Sequence, residues 1–316
     1  MRNEKKILVT GGAGFIGSHL AKEACNFYRR IIILDDFSTG KEDNLLPLPK
    51  NITVMQGDIN DDKIVKEALK NVEVVFHQAA LPSVQRSIKN PCKTNLVNVN
   101  GTLNMLRFAV EAGAQTFIFA SSSSIYGKNK QLPMKESANP DPQSPYAVSK
   151  LAGEYYCKVF SGLGLINTVS LRYFNVFGPR QDPNAEYAAV VPKFISSMLK
   201  GESPTIYGNG KQSRDFTFIK NVVEANFLAA NYADKFSGRV INVGCGDSVS
   251  VYELFNTASK ILGFTGKPVY TDSRPGEILD SCADNTALKK LGLRKMISFY
   301  EGLEKTITWF RDFMEG

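Results

Sequence analysis

The chain has 316 residues, 43% of them hydrophobic and 22% charged, which is typical of a folded globular protein and excludes a disordered or fibrous one. The net charge of +7 comes from scattered lysines and arginines rather than a basic stripe, so we expect no nucleic-acid partner. No apolar run approaches the ~18 residues of a membrane span and no signal sequence opens the chain, so we expect no membrane partner and a cytoplasmic location.

The first half of the chain alternates short apolar runs with helical patterns. The predicted strands are residues 6–10, 31–36, 52–58, 72–77, 116–122 and 168–174, and the predicted helices are 14–29, 61–70, 94–113 and 146–162. Near-continuous apolar strands with crossover helices between them indicate a parallel sheet covered on both faces. We therefore predict an α/β fold with a doubly wound parallel sheet in residues 1–175.

The second half has a different character. Beyond Asn175 the sequence is rich in proline, glycine and asparagine, and its strands are irregularly spaced. We interpret residues 176–316 mainly as a smaller α+β lobe that binds the substrate. The runs RDFTFIKNV and VINVGCG, near residues 214–245, are expected to return to the first sheet. A ligand cleft should lie between the lobes, outside the carboxyl ends of the strands.

A glycine-rich run, VTGGAGFIG, follows the first strand and opens the first helix. Gly11, Gly14 and Gly17 form G-x-x-G-x-x-G, a spacing variant of the dinucleotide-binding fingerprint. The first glycine makes a tight turn, the second lets the backbone approach a pyrophosphate, and the third lets the helix pack on the strand. The helix N-terminus adds N–H donors and a positive dipole end. This motif makes the sheet Rossmann-type and predicts a dinucleotide cofactor.

Two aspartates refine the choice of cofactor. Asp35 ends the second strand, roughly 20 residues after the loop, where a carboxylate accepts hydrogen bonds from the adenosine ribose and repels a 2′-phosphate. NAD is therefore favoured over NADP. Asp58 follows the third strand, and it fits contact with the adenine amino group as well as it fits a turn-forming aspartate.

Metal and thiol chemistry find little support in the sequence. The five cysteines contain no C-x-x-C pair and no regular spacing, which argues against a disulfide framework or a zinc site. With only two histidines, His19 and His77, a three-histidine metal site is excluded. We expect no metal.

A tyrosine and a lysine in the run SPYAVSK carry the predicted chemistry. Tyr146 and Lys150 lie one turn apart on one face of a predicted helix. The fifth strand ends in ASSSSIYG, so serine hydroxyls lie at the sheet edge beside the expected nicotinamide. A phenol titrates near 10, and a nearby ammonium together with a positive nicotinamide ring would lower its pKa. Tyr146 would then accept a proton from an alcohol. The alternative is a packed surface pair, which the neighbouring cofactor loop disfavours.

The glycine loop, the strand-end serines and Y-x-x-x-K together resemble the extended short-chain dehydrogenase/reductase family over essentially the whole chain. Within that family, the sequence is most similar to bacterial-type UDP-N-acetylglucosamine 4-epimerases in the runs HQAALPSVQRSI, SSSSIYG, SPYAVSK, LRYFNVFGPRQDPN and SRDFTFI. The resemblance implies catalysis by Ser122, Tyr146 and Lys150, NAD as cofactor and a UDP-sugar as substrate. It also implies a homodimer formed by the helices at 94–113 and 146–162.

The resemblance also assigns binding residues. Those implied for the cofactor are Gly11, Gly14, Phe15, Ile16, Gly17, Asp35, Asp36, Asp58, Ile59, Gln78, Ala79, Ala80, Asn98, Tyr146 and Lys150. Those implied for the substrate are Ser83, Ser123, Ser124, Asn175, Val191, Tyr207, Arg214, Arg274, Glu277 and Ser281. Asn98 is expected near the nicotinamide. Asn175 and the two arginines are expected on the diphosphate, Glu277 on the uridine ribose, and Val191 and Tyr207 beside the uracil.

Three serines bear on the reaction and the sugar. Ser123 and Ser124 stand where related dehydratases carry an acidic pair, and related decarboxylases usually carry glutamate at Ser124, so both reactions are disfavoured. Enzymes restricted to UDP-glucose and UDP-galactose carry a bulky tyrosine at the position of Ser281. The smaller serine leaves volume for an N-acetyl group, and Ser83 is expected near that group. We expect reversible C4 epimerisation of UDP-GlcNAc and UDP-GalNAc with retained NAD. The alternatives are a UDP-glucose or UDP-glucuronate 4-epimerase and a non-catalytic NAD-binding scaffold.

Overall fold

The computed structural model describes residues 3–129, 131–272 and 280–315. In chain order its strands are β1 (Asn3–Thr10), β2 (Tyr28–Asp35), β3 (Ile52–Gln56), β4 (Val74–His77), β5 (Thr116–Ser122), β6 (Asn167–Tyr173), β7 (Val176–Phe177), β8 (Thr205–Tyr207), β9 (Ser213–Arg214), β10 (Thr217–Phe218), β11 (Arg239–Val243), β12 (Val249–Ser250) and β13 (Val269–Thr271). Its α-helices are α1 (Phe15–Ala24), α2 (Asp62–Ala68), α3 (Val84–Lys89), α4 (Pro91–Asn95), α5 (Gly101–Glu111), α6 (Pro145–Gly162), α7 (Val190–Leu199), α8 (Ile219–Asn231), α9 (Val251–Leu262), α10 (Thr286–Leu291) and α11 (Phe299–Glu315). Short 3₁₀ turns lie at Glu42–Leu45 and Ser123–Tyr126, and a π turn lies at Leu96–Asn100.

Seven parallel strands form the main sheet, in the order β3-β2-β1-β4-β5-β6-β11. They form strands because their apolar runs are buried on both faces. Ile7 and Val9 in β1 join the hydrophobic cluster on one face, and Leu8 between them joins the cluster on the other. Helices cover both faces, and the predicted Rossmann-type fold is confirmed.

Two predicted elements of the first half have different bounds in the structure. The helix predicted at 14–29 ends at Ala24, because Tyr28 already pairs with Asn3 of β1 and begins β2. The helix predicted at 94–113 consists of α4, the π turn and α5. A π turn places an extra residue in the helix, which periodicity alone does not reveal.

The segments expected to return to the first sheet divide into two groups. The strand in VINVGCG, β11, is the seventh strand of the main sheet. The strands in RDFTFIKNV are not part of it, since β9 pairs with β12 and β10 pairs with β7 in separate two-stranded sheets. The helix that follows them, α8, packs against α1. The division into lobes at residue 175 stays a prediction.

The strand order positions the ligand cleft. From β1 the chain moves to β2 on one side, and β4 then lies on the other side of β1, so the order reverses at this point. Loops that leave β1 and β4 in opposite directions open a crevice at the carboxyl edge of the sheet. Within the described ranges, no helix combines the length and apolar character needed to cross a membrane.

Candidate active site

The glycine loop between β1 and α1 forms a backbone cradle. Gly11 has a φ of +65°, its N–H donates to Leu34 O at 2.8 Å, and Gly14 N donates to Gly11 O at 3.1 Å. A Cβ on Gly11 would lie 2.7 Å from Ala79 N, and one on Gly17 would collide with the carbonyl of Gly11. The loop therefore requires glycine, and it leaves the helix N-terminus open to a pyrophosphate, which fits a dinucleotide.

Asp35 fixes this cradle to the end of β2. Its two oxygens accept hydrogen bonds from Ala13 N at 2.8 Å and from Phe37 N at 2.9 Å. Burial raises the pKa of Asp35, and these backbone bonds act in the opposite direction. Each carboxylate oxygen accepts more than one hydrogen bond, so Asp35 retains capacity for ribose hydroxyls. The sequence predicted the ribose contact but not this link between the loop and the strand.

A cleft of about 620 Å³ runs along the carboxyl edge of the sheet. Most of the predicted site residues line it, namely Gly11, Gly14, Phe15, Ile16, Gly17, Asp35, Asp36, Asp58, Ile59, Gln78, Ala79, Ala80, Ser83, Ser122, Ser123, Ser124, Tyr146, Lys150, Asn175, Arg214 and Ser281. The cleft thus joins the cofactor loop to the predicted catalytic and sugar-binding residues in one continuous space.

The predicted catalytic residues lie together in this cleft. Helix α6 begins just before Tyr146, where the Ser144 hydroxyl accepts a hydrogen bond from Ala147 N at 3.2 Å and Pro145 occupies the first turn. The Tyr146 phenol has the Ser122 hydroxyl as its hydrogen-bond partner. Lys150 is 3% exposed, and its ammonium donates to Ala120 O at 2.7 Å.

Burial shifts both titrating groups in this trio. It raises the pKa of Tyr146, and the hydrogen bond with Ser122 acts in the opposite direction. Burial lowers the pKa of Lys150 to about 7. The predicted lowering of the phenol pKa is therefore not produced by the protein alone. An oxidised nicotinamide bound beside the phenol would add positive charge, which lowers a phenol pKa.

Asn98 lies buried behind the cleft, and its predicted place near the nicotinamide stays a prediction. It is 1% exposed, its Oδ1 accepts from Leu81 N at 2.8 Å, and its Nδ2 donates to Ser149 Oγ at 3.0 Å. Among the described residues that line the cleft, Asn98 is absent. It instead joins the loop after β4 to α6 from the π turn, so its effect on the site is to position other residues.

The predicted substrate residues occupy the far end of the cleft and a neighbouring one. Ser281 is 6% exposed, and its hydroxyl accepts from Asn175 Nδ2 at 3.2 Å. Val191 and Tyr207 line an adjoining cleft of about 700 Å³, which shares Asn175 and Arg214 with the first. Arg274 and Glu277 lie outside the described residues.

Several cleft residues were missed by sequence reasoning. Lys41 pairs with Asp182 at 2.5 Å and joins the loop after β2 to the loop after β7, and Arg180 donates to Asn44 O at 3.4 Å. Arg86 lines the same cleft. Arg180 and Asp182 belong to the run FGPRQDPN, which the sequence analysis singled out. A run of sequence does not reveal which of its side chains meet residues across a cleft.

Comparison with known proteins identifies the group to which this architecture belongs. A model of the NAD dependent epimerase/dehydratase family matches residues 7–244. The chain belongs to the NAD-dependent epimerase/dehydratase family. The predicted extended short-chain dehydrogenase/reductase membership, the NAD cofactor and the enzymatic nature are confirmed.

Relatives within the epimerase/dehydratase family act on different sugars. A UDP-N-acetylglucosamine 4-epimerase from Methanobrevibacter ruminantium M1, solved with UDP-N-acetylmuramic acid, is 42% identical, with a TM-score of 0.93 over 99% of this chain and 100% of its own. A UDP-glucose 4-epimerase from Thermotoga maritima, solved with UDP-glucose, is 37% identical, with a TM-score of 0.92 over 98% and 99%. A UDP-N-acetyl-alpha-D-glucosaminuronate decarboxylase from Bacillus cytotoxicus is 35% identical over 98% of both chains.

Proposed function

We propose that this protein catalyses the reversible C4 epimerisation of UDP-GlcNAc and UDP-GalNAc, with NAD retained through the cycle. The observation that carries the proposal is the meeting of Ser122, Tyr146 and Lys150 in the cleft that the glycine cradle opens. A phenol and a hydroxyl that share a hydrogen bond are placed to contact one substrate alcohol. The relative from Methanobrevibacter ruminantium, at 42% identity, supports the choice of sugar.

The protein's own groups handle the proton in this reaction. Tyr146 accepts the proton of the C4 hydroxyl while Ser122 hydrogen-bonds the same oxygen, and Lys150 supplies the positive charge that favours the phenolate. The cradle and Asp35 would hold NAD, which when bound would supply the acceptor and later the donor of the C4 hydride. Between these events the 4-keto sugar rotates about its pyrophosphate linkage, and Tyr146 returns the proton on the other face.

The distribution of charge suits that rotation. Arg214 and Asn175 lie where the two clefts meet and would hold the diphosphate by hydrogen bonds. The sugar end carries serines instead, and the Ser124 hydroxyl is buried with no hydrogen-bond partner among the described residues. A firm grip on UDP and weak contacts with the sugar permit both faces of C4 to be presented.

The preference for an N-acetylated sugar rests on small side chains. Ser281 leaves the cleft wall open beside Asn175. Ser83 lines the same cleft, although its hydroxyl also caps α3 by accepting from Arg86 N at 3.1 Å. Ser123 and Ser124 provide no carboxylic acid for elimination or decarboxylation, which favours epimerisation over the chemistry of the decarboxylase relative.

Arg86 favours a second candidate, an acidic UDP-sugar. Its guanidinium lines the same cleft as Ser83, and its centre is 5.9 Å from the Tyr187 ring. Its charge also acts on the exposed carboxylate of Glu186. A half-buried guanidinium of this kind binds a carboxylate well. The relative from Methanobrevibacter ruminantium, solved with UDP-N-acetylmuramic acid, gives the same reason to test acidic sugars.

Product analysis decides between these sugars. The purified protein is incubated with UDP-GlcNAc, UDP-glucose, UDP-glucuronate and UDP-N-acetylmuramic acid, and the products are separated by anion-exchange chromatography. We expect UDP-GalNAc as the main product and NAD in the supernatant after denaturation. Conversion of UDP-glucose or an acidic sugar alone would assign the second candidates, and no epimer from any of the four would refute epimerisation.

A further inference from the structure

A buried ionic cluster lies directly behind the catalytic residues, and the proposed reaction does not use it. Glu154 and Arg172 are 5% and 3% exposed, and Arg172 donates to both oxygens of Glu154 at 2.8 Å from Nε and Nη2. The Ser121 hydroxyl donates to Glu154 Oε1 at 2.5 Å. The other side of the guanidinium lies over the Tyr126 ring, 4.7 Å from its centre.

This cluster joins the two elements that carry the chemistry. Glu154 lies on α6 one turn after Lys150, and Ser121 comes immediately before Ser122 on β5. The helix is thus bonded to two successive residues at the strand end, through Lys150 to Ala120 O at 2.7 Å and through Glu154 to Ser121. These two bonds fix how far Tyr146 lies from Ser122.

The cluster also sets the charge around the Lys150 ammonium. From β4 it faces His77, which burial keeps neutral by lowering its pKa to about 3. From α6 it faces Cys157, whose pKa burial raises to about 12, so that this thiol is neutral at the pH where Lys150 titrates. The carboxylate that faces Lys150 within the described residues is Glu154, and Arg172 on β6 balances it.

We propose that Glu154 is a positioning residue with two functions, holding the end of β5 against α6 and keeping the buried Lys150 ammonium charged, with Arg172 limiting the strength of that effect. The pKa of Lys150 is lowered to about 7 because burial outweighs the raising effect of its neighbours, Glu154 among them, so a change in those charges decides whether the ammonium persists at neutral pH. This proposal rests on the proposed function only where kcat is measured, because that assay needs a UDP-sugar substrate.

The test uses charge changes with opposite expected signs in the full-length holoenzyme. Glu154→Gln leaves Arg172 unbalanced beside Lys150, so the fall in kcat at high pH should move down by about 1 to 3 pH units. Arg172→Gln leaves Glu154 unbalanced, so the fall in kcat should move to higher pH. The double variant, which removes both charges, should return close to the wild-type profile. A loss of packing alone would not reverse sign between the two single variants.

Two further variants separate positioning from charge. Ser121→Ala and Glu154→Asp keep the charges but remove or lengthen the bond to the strand end, so kcat should fall about 10²-fold with KM and the pH profile unchanged. If Glu154→Gln does not fold, Arg172→Gln still tests the charge effect and Ser121→Ala still tests the positioning effect. A wild-type pH profile in each folded single charge variant, Glu154→Gln and Arg172→Gln, would overturn the proposal.

A readout without substrate keeps this result distinct from the identity of the sugar. The Lys150 resonance, assigned by its loss in Lys150→Met, is titrated by ¹³C NMR in protein labelled at the lysine ε-carbons. Its pKa should fall in Glu154→Gln and rise in Arg172→Gln, whichever UDP-sugar the enzyme uses. An unchanged pKa in both variants would refute the electrostatic part of the proposal.

Discussion

At the scale of single residues, removing the Tyr146 hydroxyl distinguishes proton transfer from the binding of NAD and UDP. Tyr146→Phe keeps the aromatic ring in the cleft but removes the proposed proton acceptor. We expect kcat to fall about 10²- to 10⁴-fold with NAD content and UDP binding unchanged, because general-base catalysis contributes that much. Turnover with UDP-GlcNAc and calorimetric binding of UDP measure the two effects. Near-normal turnover would remove Tyr146 from the chemistry.

Ser281 tests the basis of sugar choice. Ser281→Tyr fills the cleft wall beside Asn175, so kcat/KM for UDP-GlcNAc should fall about 10- to 200-fold relative to UDP-glucose. Ser281→Ala is the matched control, since it removes the hydrogen bond to Asn175 without adding volume. Competition between the two substrates in one assay measures the ratio directly. An equal loss on both substrates would show that Ser281 does not select the sugar.

His77 gives a pH dependence of stability with a definite sign. Thr102 donates to Asn98 O at 2.7 Å, so His77 Nε2 donates to Thr102 Oγ1 at 2.9 Å and Nδ1 accepts from Thr10 Oγ1 at 2.8 Å. This arrangement requires neutral imidazole, and burial lowers its pKa from 6.5 to about 3. The unfolded chain therefore binds a proton first, and stability falls as the pH drops below 6.5.

The expected slope is about 1.4 kcal/mol of unfolding free energy per pH unit from this residue. Urea unfolding of wild type and His77→Gln between pH 7 and pH 5 measures it, because the variant lacks the titrating group. His19, whose pKa burial also lowers, is present in both proteins and cancels. Parallel curves for the two proteins would contradict the assignment.

A sequence motif predicts some residues of the site, whereas the positions of others depend on tertiary packing. Gly11, Asp35 and Tyr146 could be predicted because each has one chemical task at a fixed place after a strand or on a helix. Asn98 and Glu154 could not be placed, since their hydrogen bonds are made to residues distant in the sequence. Such contacts depend on how strands and helices pack, and no local spacing encodes them.

At the scale of elements, the junction of β1 and α1 depends on Gly17. A Cβ there would collide with the Gly11 carbonyl and lie 2.8 Å from Gly12 Cα, and both contacts are with backbone. Gly17→Ala should therefore push the cradle away from α1, cost about 1–3 kcal/mol of stability and weaken NAD binding. Thermal unfolding with and without added NAD measures both effects.

Gly162 offers the matched control. It ends α6, and a Cβ added there meets no atom within 4 Å among the described residues. Gly162→Ala should therefore be neutral or stabilise the protein by up to about 1 kcal/mol. If Gly17→Ala retained NAD as well as Gly162→Ala does, the cradle would not require close contact of the helix with the strand.

Element type could be predicted more reliably than element ends. Apolar runs such as IIILDD predict the buried strands, because both faces of the sheet exclude water. The end of α1 could not be placed, because contacts with distant residues decide where β2 begins. Tyr28 pairs with Asn3 of β1 and packs near Phe227, with ring centres 6.3 Å apart. Helical periodicity continues through that position and gives no sign of the change.

At the scale of the whole molecule, the path of the chain after Asn175 was only partly predictable. β11 is an apolar run long enough to extend the sheet, and it does so beside β6. The strands β9 and β10 are two residues each, and they pair with β12 and β7. Such short strands have no apolar pattern of their own, so their partners are decided by the loops that bring them together.

The exposed face of α6 predicts how two copies of the molecule meet. Val148, Tyr155 and Val159 lie on one side of the helix and are 53%, 55% and 53% exposed. Leu96, in the π turn that packs against α6, is 50% exposed. Apolar side chains collected on one surface indicate an interface, and a twofold axis allows the same face to be used by both copies. The homodimer thus stays a prediction with a defined surface.

Charge on that face should separate the copies. In a Val148→Asp/Val159→Asp variant, association would bury two uncompensated carboxylates per copy, so sedimentation at micromolar concentration should change from dimer to monomer. Phe313→Asp is the control, because Phe313 is 68% exposed on α11 and lies outside the proposed face. It should leave the dimer intact. Wild type that sediments as a monomer, or a control that dissociates equally, would contradict an interface on α6.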